Sequence, residues 1–583
     1  MLLGVLALIW LAVLTPPLLR ARATHRAQPG FSDFYASLSS IGGVNGEARV
    51  KRPSAAARRR TAERRRRVFS TLGTTTAVCF VGAAFSDSGS MWLLFALSLV
   101  ALLAYVGLLV ALAEARGVVD HLRALQGGAT VNRTEARAAL HTALRAPRSA
   151  RIEVDGTDVV PEVHAVLDAM RAFAEQVRDG SHRGATGSRI RTVVHIGIGG
   201  SHLGPEMVTT ALRPYVDPAL AVRYISNVDG ADLRRALTGL DPAETLCIVA
   251  SKTFTTAETM ANAHAVRAWV VDALGEDAVG QHFVAVSTAL DEVAAFGIAP
   301  ERTFGFWDWV GGRFSVSSAI GLPVMLAIGP ARFDEFLAGM RAMDEHAAAA
   351  PLSTNLPVLL ALVDVWNTDL EEYGTRAVLP YASDLARFPA FLQQLEMESN
   401  GKSVDEDGAP VTVATSPIVW GAPGTDAQHA FLQLLHQGTV VAPVDFIVVA
   451  RAHDPVGDHH DVLVANAIAQ AEALARGRFA AELADAGVDA ALVPHRVFPG
   501  DRPSTILMLD ALTPERLGAL IALHEHRVAV AGRIWGIDSF DQWGVELGKV
   551  LATRILDEIR AGTTGDHDPA TAATISRYRA RRA

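Results

Sequence analysis

Lysine occurs at only four positions, Lys51, Lys252, Lys402 and Lys549, in a chain where Lys and Arg together number 53. Arginine fills nearly every cationic position, so a remaining lysine marks a place where a compact, titratable ammonium does what a guanidinium cannot. Lys51 lies in a basic run, whereas the other three sit in polar, glycine-bearing stretches. Ser251-Lys252-Thr253-Phe254-Thr255-Thr256 gathers hydroxyls and an ammonium between an apolar run and a helical pattern. Hydroxyls, helix amides and the helix dipole there suit phosphate oxygens. The Walker pattern G-x-x-x-x-G-K-[ST] is absent, so a phosphomonoester on a small metabolite fits better than a nucleotide triphosphate with magnesium. A second loop, Gly197-Ile198-Gly199-Gly200-Ser201-His202, also follows an apolar run. The third glycine of a dinucleotide fingerprint would fall on His202, so this loop suits an anion or sugar hydroxyls instead. The stretch His453-Asp454-Pro455-Val456-Gly457-Asp458-His459-His460-Asp461 carries metal-ligand residue types, at a spacing that fits no standard zinc pattern.

These loops need a scaffold that presents them together. Thr192–Ile196, Ala221–Ile225, Thr245–Ala250 and His282–Ser287 are short, β-branched and almost wholly apolar, as strands of a parallel sheet covered on both faces are. Helical patterns such as Thr256–Leu274 alternate with them. A second series begins near Pro357, with Arg376–Tyr381, Val444–Ala452 and Thr505–Leu509 as strands. The pattern predicts two α/β domains in tandem, with ligands beyond the carboxyl ends of the strands.

A length of 583 residues predicts about three or four domains of ~150 residues each. The net charge of −9 gives no reason to expect nucleic acid, and the two cysteines, Cys79 and Cys247, make neither a disulfide framework nor a zinc site by themselves. Half of the residues are hydrophobic, which points to membrane segments. Residues 1–19, 68–85 and 91–113 are candidate spans, joined by a basic linker, 20–67. Positive charge in that linker, including Arg58–Arg60 and Arg64–Arg67, puts it in the cytoplasm by the positive-inside rule. The chain after Ala113 then returns to the cytoplasm, tethered to the plasma membrane. A cleaved signal peptide is the rival for residues 1–19, with Ala21-Arg22-Ala23 a poor cleavage match.

The two loops resemble those of the glucose-6-phosphate isomerase family. The likeness extends in order through Trp309-Val310-Gly311-Gly312-Arg313-Phe314-Ser315, Gln394-Leu395-Glu396-Met397-Glu398-Ser399-Asn400-Gly401-Lys402, Trp420–Phe431 and Ser539–Lys549. It covers about Leu112 to the C-terminus. The resemblance implies two sugar-isomerase (SIS) αβα sandwich domains with parallel sheets, and interconversion of glucose 6-phosphate and fructose 6-phosphate through a cis-enediol(ate). It implies Glu398 as the base, Arg313 as the cation facing the enediolate, His429 as the ring-opening group with Glu258 supporting it, and Lys549 near the sugar oxygens. Gly200, Ser201, Ser251, Lys252, Thr253 and Thr256 map onto phosphate and sugar contacts, and Gln394 and Gln542 onto substrate-positioning amides. No metal or organic cofactor is implied. A homodimer is, with His429 supplied across the interface.

The expected organisation is therefore a membrane segment over 1–115, a shortened N-terminal helical region over 116–151, a first SIS domain over 152–332, and a second over 333–583 with a C-terminal arm. Two positions depart from the family pattern: His202 stands where Asp is usual, and Asp426 where Asn is usual. Two alternatives stay open at this level: a membrane scaffold carrying an inactive isomerase body, and an isomerase of another phosphosugar such as mannose 6-phosphate.

Overall fold

The computed structural model describes residues 116–582 without a break, together with Trp92, Phe95, Ala96, Ala111, Ala113 and Glu114. Two all-parallel sheets dominate it. The first contains β1 (Thr192–Ile196), β2 (Ala221–Ile225), β3 (Thr245–Ala250), β4 (Phe283–Val286) and β5 (Thr303–Phe304), in the order β2-β1-β3-β4-β5. The second contains β6 (Thr375–Tyr381), β7 (Ile418–Gly421), β8 (Val444–Arg451) and β9 (Ser504–Ala511), in the order β9-β8-β6-β7. The strands read from periodicity reappear with small changes at their ends. The two that were not anticipated, β5 and β7, are short edge strands whose Trp, Gly and Pro surroundings read as loop.

Position in the sheet explains the sequence of each strand. Central β1 and β3 are buried at every residue, and both are continuous apolar runs apart from His195 and the bordering threonines. Edge strand β9 alternates instead, and exposes Ile506 at 43% and Met508 at 57%. An edge strand has solvent on one side, so its pattern reverts to period two.

Among the helices, α1 (Gly200–Ala211) and α2 (Ala257–Leu274) follow β1 and β3. The long α3 (Pro330–Ala349) and α4 (Pro514–Trp535) pack along each other. Thr513 caps α4 by accepting from the Arg516 N–H at 3.2 Å. One apolar core runs from β1 and β3 through α3 and α4 to Val378 and Ile447 of the second sheet, so both sheets are built against shared helices. The last helices behave differently: α5 (Glu546–Ala561) buries no residue and leaves Leu547, Val550, Leu551 and Leu556 exposed.

Among the described residues, no helix is long and apolar enough to cross a membrane. The expected spans 1–19, 68–85 and 91–113 lie outside the described residues, apart from Trp92, Phe95, Ala96, Ala111 and Ala113.

Candidate active site

The glycine loop and the Ser/Thr loop leave the carboxyl ends of β1 and β3, which are neighbours in the sheet. Both therefore open on the same edge, where open α/β sheets place ligands. In the Ser/Thr loop, Ser251 Oγ donates to Thr256 Oγ1 at 3.2 Å, and the Thr253 and Thr255 hydroxyls pair at 2.7 Å. Phe254 adopts φ 54° while only 4% exposed, with its ring against Phe296. A left-handed, buried aromatic residue costs about 1–3 kcal/mol and survives where the surroundings over-determine it, as they do at ligand clamps. Lys252 Nζ donates to the Asp308 carbonyl at 3.1 Å. Burial, and secondarily the Arg137 guanidinium, hold its ammonium below the usual lysine range.

Arg313 is joined to the glycine loop by backbone. A Cβ on Gly200 would lie 2.0 Å from the Gly312 oxygen and 2.7 Å from the Arg313 nitrogen, so only glycine permits this approach. The Arg313 side chain is buried and fully engaged. Its Nε donates to Ser399 Oγ at 2.6 Å, Nη1 to Gln542 Oε1 at 2.8 Å, and Nη2 to the Ser539 and Asp541 carbonyls at 2.7 and 3.1 Å. Glu398 Oε2 lies 3.5 Å from Nη1. Burial pulls the Arg313 pKa down and Glu398 opposes that shift; a guanidinium stays charged regardless. Behind it, Phe314 stacks on His141 at 4.6 Å, and burial keeps that imidazole neutral. Gln394 approaches the other side of the glycine loop, its Nε2 3.2 Å from where a Gly199 Cβ would stand.

One chain thus brings together Gly200, Arg313, Gln394, Glu398 and Gln542, with Ser201 at the start of α1 and the Ser251–Thr256 loop on the adjacent strand end. It does not gather every expected residue. Lys549 lies on exposed α5, its ammonium 2.9 Å from Glu546 Oε1. His429 is exposed on the short helix Asp426–Ala430, and its ring makes no hydrogen bond or ion pair among the described residues. Glu258 is half-buried in the first turn of α2. His202, the residue out of pattern, turns away from the cluster: its Nε2 sits 3.3 Å from Glu206 Oε2 and its ring meets Tyr224 edge-on. Beyond it, a groove of about 680 Å³ runs along edge strand β2, but Arg387 and Arg223 in its wall are already bonded to Glu206 and to two carbonyls.

The sequence marked Lys402 as a scarce lysine without giving it a role, and did not single out Ser399, Asp541 or Arg137. Lys402 Nζ donates to the Asp541 carbonyl at 2.8 Å and pairs with its carboxylate, which fixes the loop that also receives Arg313. Lysine scarcity was the available signal for it. Arg137 comes from a stretch without motif and joins Lys252 on the Asp308 carbonyl.

The arrangement can bind an anion and hold a carboxylate beside a fixed cation, which is the equipment for moving a proton α to a carbonyl. Known proteins agree with that chemistry. The phosphoglucose isomerase family profile matches residues 104–575. A glucose-6-phosphate isomerase of Anaeromyxobacter dehalogenans (strain 2CP-C) is 60% identical over 481 residues, covering 82% of this chain and 88% of that protein. One from Frankia casuarinae is 58% identical over 485 residues, covering 82% and 87%. The crystal structure of a glucose-6-phosphate isomerase from Chlamydia trachomatis superposes with a TM-score of 0.70 at 36% identity, covering 78% of this chain and 86% of that one. With a family profile over most of its length and relatives at this identity, the chain belongs to the phosphoglucose isomerase family.

Proposed function

We propose that the chain carries out the reaction its relatives are named for, interconverting glucose 6-phosphate and fructose 6-phosphate, and that Glu398 is the base. The phosphate sits among Ser201, Ser251, Lys252, Thr253 and Thr256, on donors that carry no chemistry. The sugar ring opens, with His429 and Lys549 as the groups that move the ring-oxygen and hydroxyl protons. Glu398 then takes the proton from C2 of the aldose, the electron pair forms the C1–C2 double bond, and negative charge develops on the former carbonyl oxygen. Arg313 faces that charge. The C2 hydroxyl proton passes to the C1 oxygen and the same carboxyl returns its proton to C1, leaving a hydroxyl on C1 and a carbonyl at C2, so atoms and electrons balance without an external oxidant.

The observation that carries this reading is the 3.5 Å approach of Arg313 to Glu398, with the guanidinium locked by its other bonds. Glu398→Gln keeps the shape and removes the base, and should lower kcat by about 10²–10⁴-fold with folding intact. A Gln variant as active as the parent overturns the assignment.

The exposed apolar stripe of α5 and the separated Lys549 and His429 support a homodimer in which a second copy covers that stripe and His429 serves the neighbouring site. Inactive Glu398→Gln and His429→Ala chains, mixed and allowed to exchange, then regain activity. No recovery despite subunit exchange refutes the shared site. The basic linker and the apolar runs at 1–19, 68–85 and 91–113 support attachment of this body to the cytoplasmic face of a membrane. The full 61.9 kDa chain should sediment with membranes, and recovery of all activity in the supernatant refutes attachment.

A further inference from the structure

Glu398 ends a π-helix, Gln393–Glu398, that directly follows the α-helical turn Phe388–Leu392. Such turns are rare, gather at functional sites, and need outside contacts to hold them. On its buried side, Glu396 is 4% exposed and accepts with both oxygens from Arg376 Nη2. Arg376, on β6, also donates to Asp364 Oδ1 at 2.5 Å, and its Nε lies 3.3 Å from Asp445 Oδ2. Arg527 of α4 closes the cluster. It donates to both Asp364 oxygens at 2.5 Å and to Asp445 Oδ2 at 2.9 Å. His524 stands 3.8 Å from Glu396 Oε1, kept neutral by burial.

On the other side of Glu398, Ser399 receives Arg313 Nε at 2.6 Å, and Asn400 donates to the Val528 carbonyl at 3.0 Å. Met397 Sδ accepts from the Val419 N–H at 3.4 Å. Residues 396, 397, 399 and 400 are therefore each tied to a different element, and Glu398 is left facing Arg313. Three carboxylates and two guanidiniums buried together are poor value for stability, because desolvation offsets much of their attraction. Their worth lies in geometry.

We infer that Glu396 and Arg376 are positioning residues for the isomerisation: the Arg376–Glu396 pair and the Arg313–Ser399 pair clamp the π turn from opposite sides and fix the Glu398 carboxylate over C1 and C2 of the sugar. The inference rests on the reading of Glu398 as the base. It predicts a loss in the chemical step and not in substrate capture, since neither residue approaches the phosphate loop.

The test uses the full chain carrying Arg376→Met with Glu396→Leu, an apolar replacement of the pair that leaves Arg527 with Asp364 and Asp445. Unfolding, kcat, KM and the fraction of deuterium carried from C2 of the substrate to C1 of the product are measured together. A displaced carboxylate should lower kcat by about 10- to 100-fold at unchanged KM. It should also release more label to water, a readout that general loosening of the fold does not move selectively. Where that pair of changes prevents folding, Arg376→Lys, which cannot grip Glu396 with a planar fork, is read the same way. A folded variant with kcat and label transfer within twofold of the parent overturns the inference. Glu398→Gln, run alongside, separates the failures. If it stays active, the base assignment falls and takes the clamp with it; if it is inactive while the clamp variant is fully active, the clamp alone falls.

Discussion

Gly200→Ala is the sharpest perturbation of this site, because it adds one methyl group where backbone meets backbone. The new Cβ would stand 2.0 Å from the Gly312 oxygen, 2.1 Å from its carbonyl carbon and 2.7 Å from the Arg313 nitrogen. Ordinary contact begins near 3.4 Å, so the two loops must part by about 1.4 Å, the difference between 3.4 and 2.0 Å. No flexible side chain can absorb that movement. Its cost as overpacking is about 1–3 kcal/mol of stability. The larger effect is catalytic, since Arg313 is carried on the displaced strand of backbone and a misplacement of about 1 Å costs about 10²-fold in rate. The assay is kcat from a coupled measurement at saturating sugar phosphate, with thermal unfolding of the same samples. Gly280→Ala is the control: nothing lies within 4 Å of its Cβ, and it sits in the helical turn Val279–His282. That change should leave kcat untouched and hold or slightly raise stability. If Gly200→Ala retains kcat within twofold, the tight seam between the glycine loop and Arg313 does not govern the chemistry, and the reasoning fails.

Lys252→Met removes the proposed phosphate contact while keeping much of the side chain's bulk. KM should rise about tenfold or more with kcat little changed, as loss of uniform binding requires; a fall in kcat alone would contradict the role. Acid should weaken the fold early. His195 is 0% exposed and burial lowers its pKa from 6.5 to about 4, so its contribution is fully present above pH 6.5 and is lost as pH falls from 6.5 through about 4. Between pH 7.5 and 5 this one group costs about 2 kcal/mol, and His141 and His524, shifted the same way by burial, add to it. A urea midpoint that stays flat across that interval refutes the assignment of neutral buried imidazoles.

Legibility varied with the physics of each part. Strands β1 and β3 were readable to the residue because central parallel strands must be apolar and their loops must not be. Strand β7 was not, since Gly421 and Trp420 carry loop composition at a sheet edge where few constraints act. The place of the Ser251–Thr256 loop, between a strand end and a helix start, was readable from the apolar run before it and the helical pattern after it. Two acceptors of Arg313 were not, because they are the Ser539 and Asp541 carbonyls, and a backbone oxygen leaves no mark in composition. Arg376, Asp364, Asp445 and Arg527 escaped for a related reason: each looks like an ordinary charged residue until the chain closes and leaves all of them 5% exposed or less. Helix α5 shows the converse, an apolar pattern of which no residue is buried among the described residues.

Helix α4 carries His524, Glu525, His526 and Arg527 in succession, and none is more than 1% exposed. At about 100° per residue these four point around most of the helix circumference. His526 reaches Asp344 at 2.7 Å, Glu525 lies 2.8 Å from Arg145, and Arg527 holds Asp364. A helix with an apolar stripe can roll or slip by a turn and still bury oil against oil. This one has a single seating against α3 and the second sheet, because rotation would pull Glu525, His526 and Arg527 from their partners and strand charge in a dry wall.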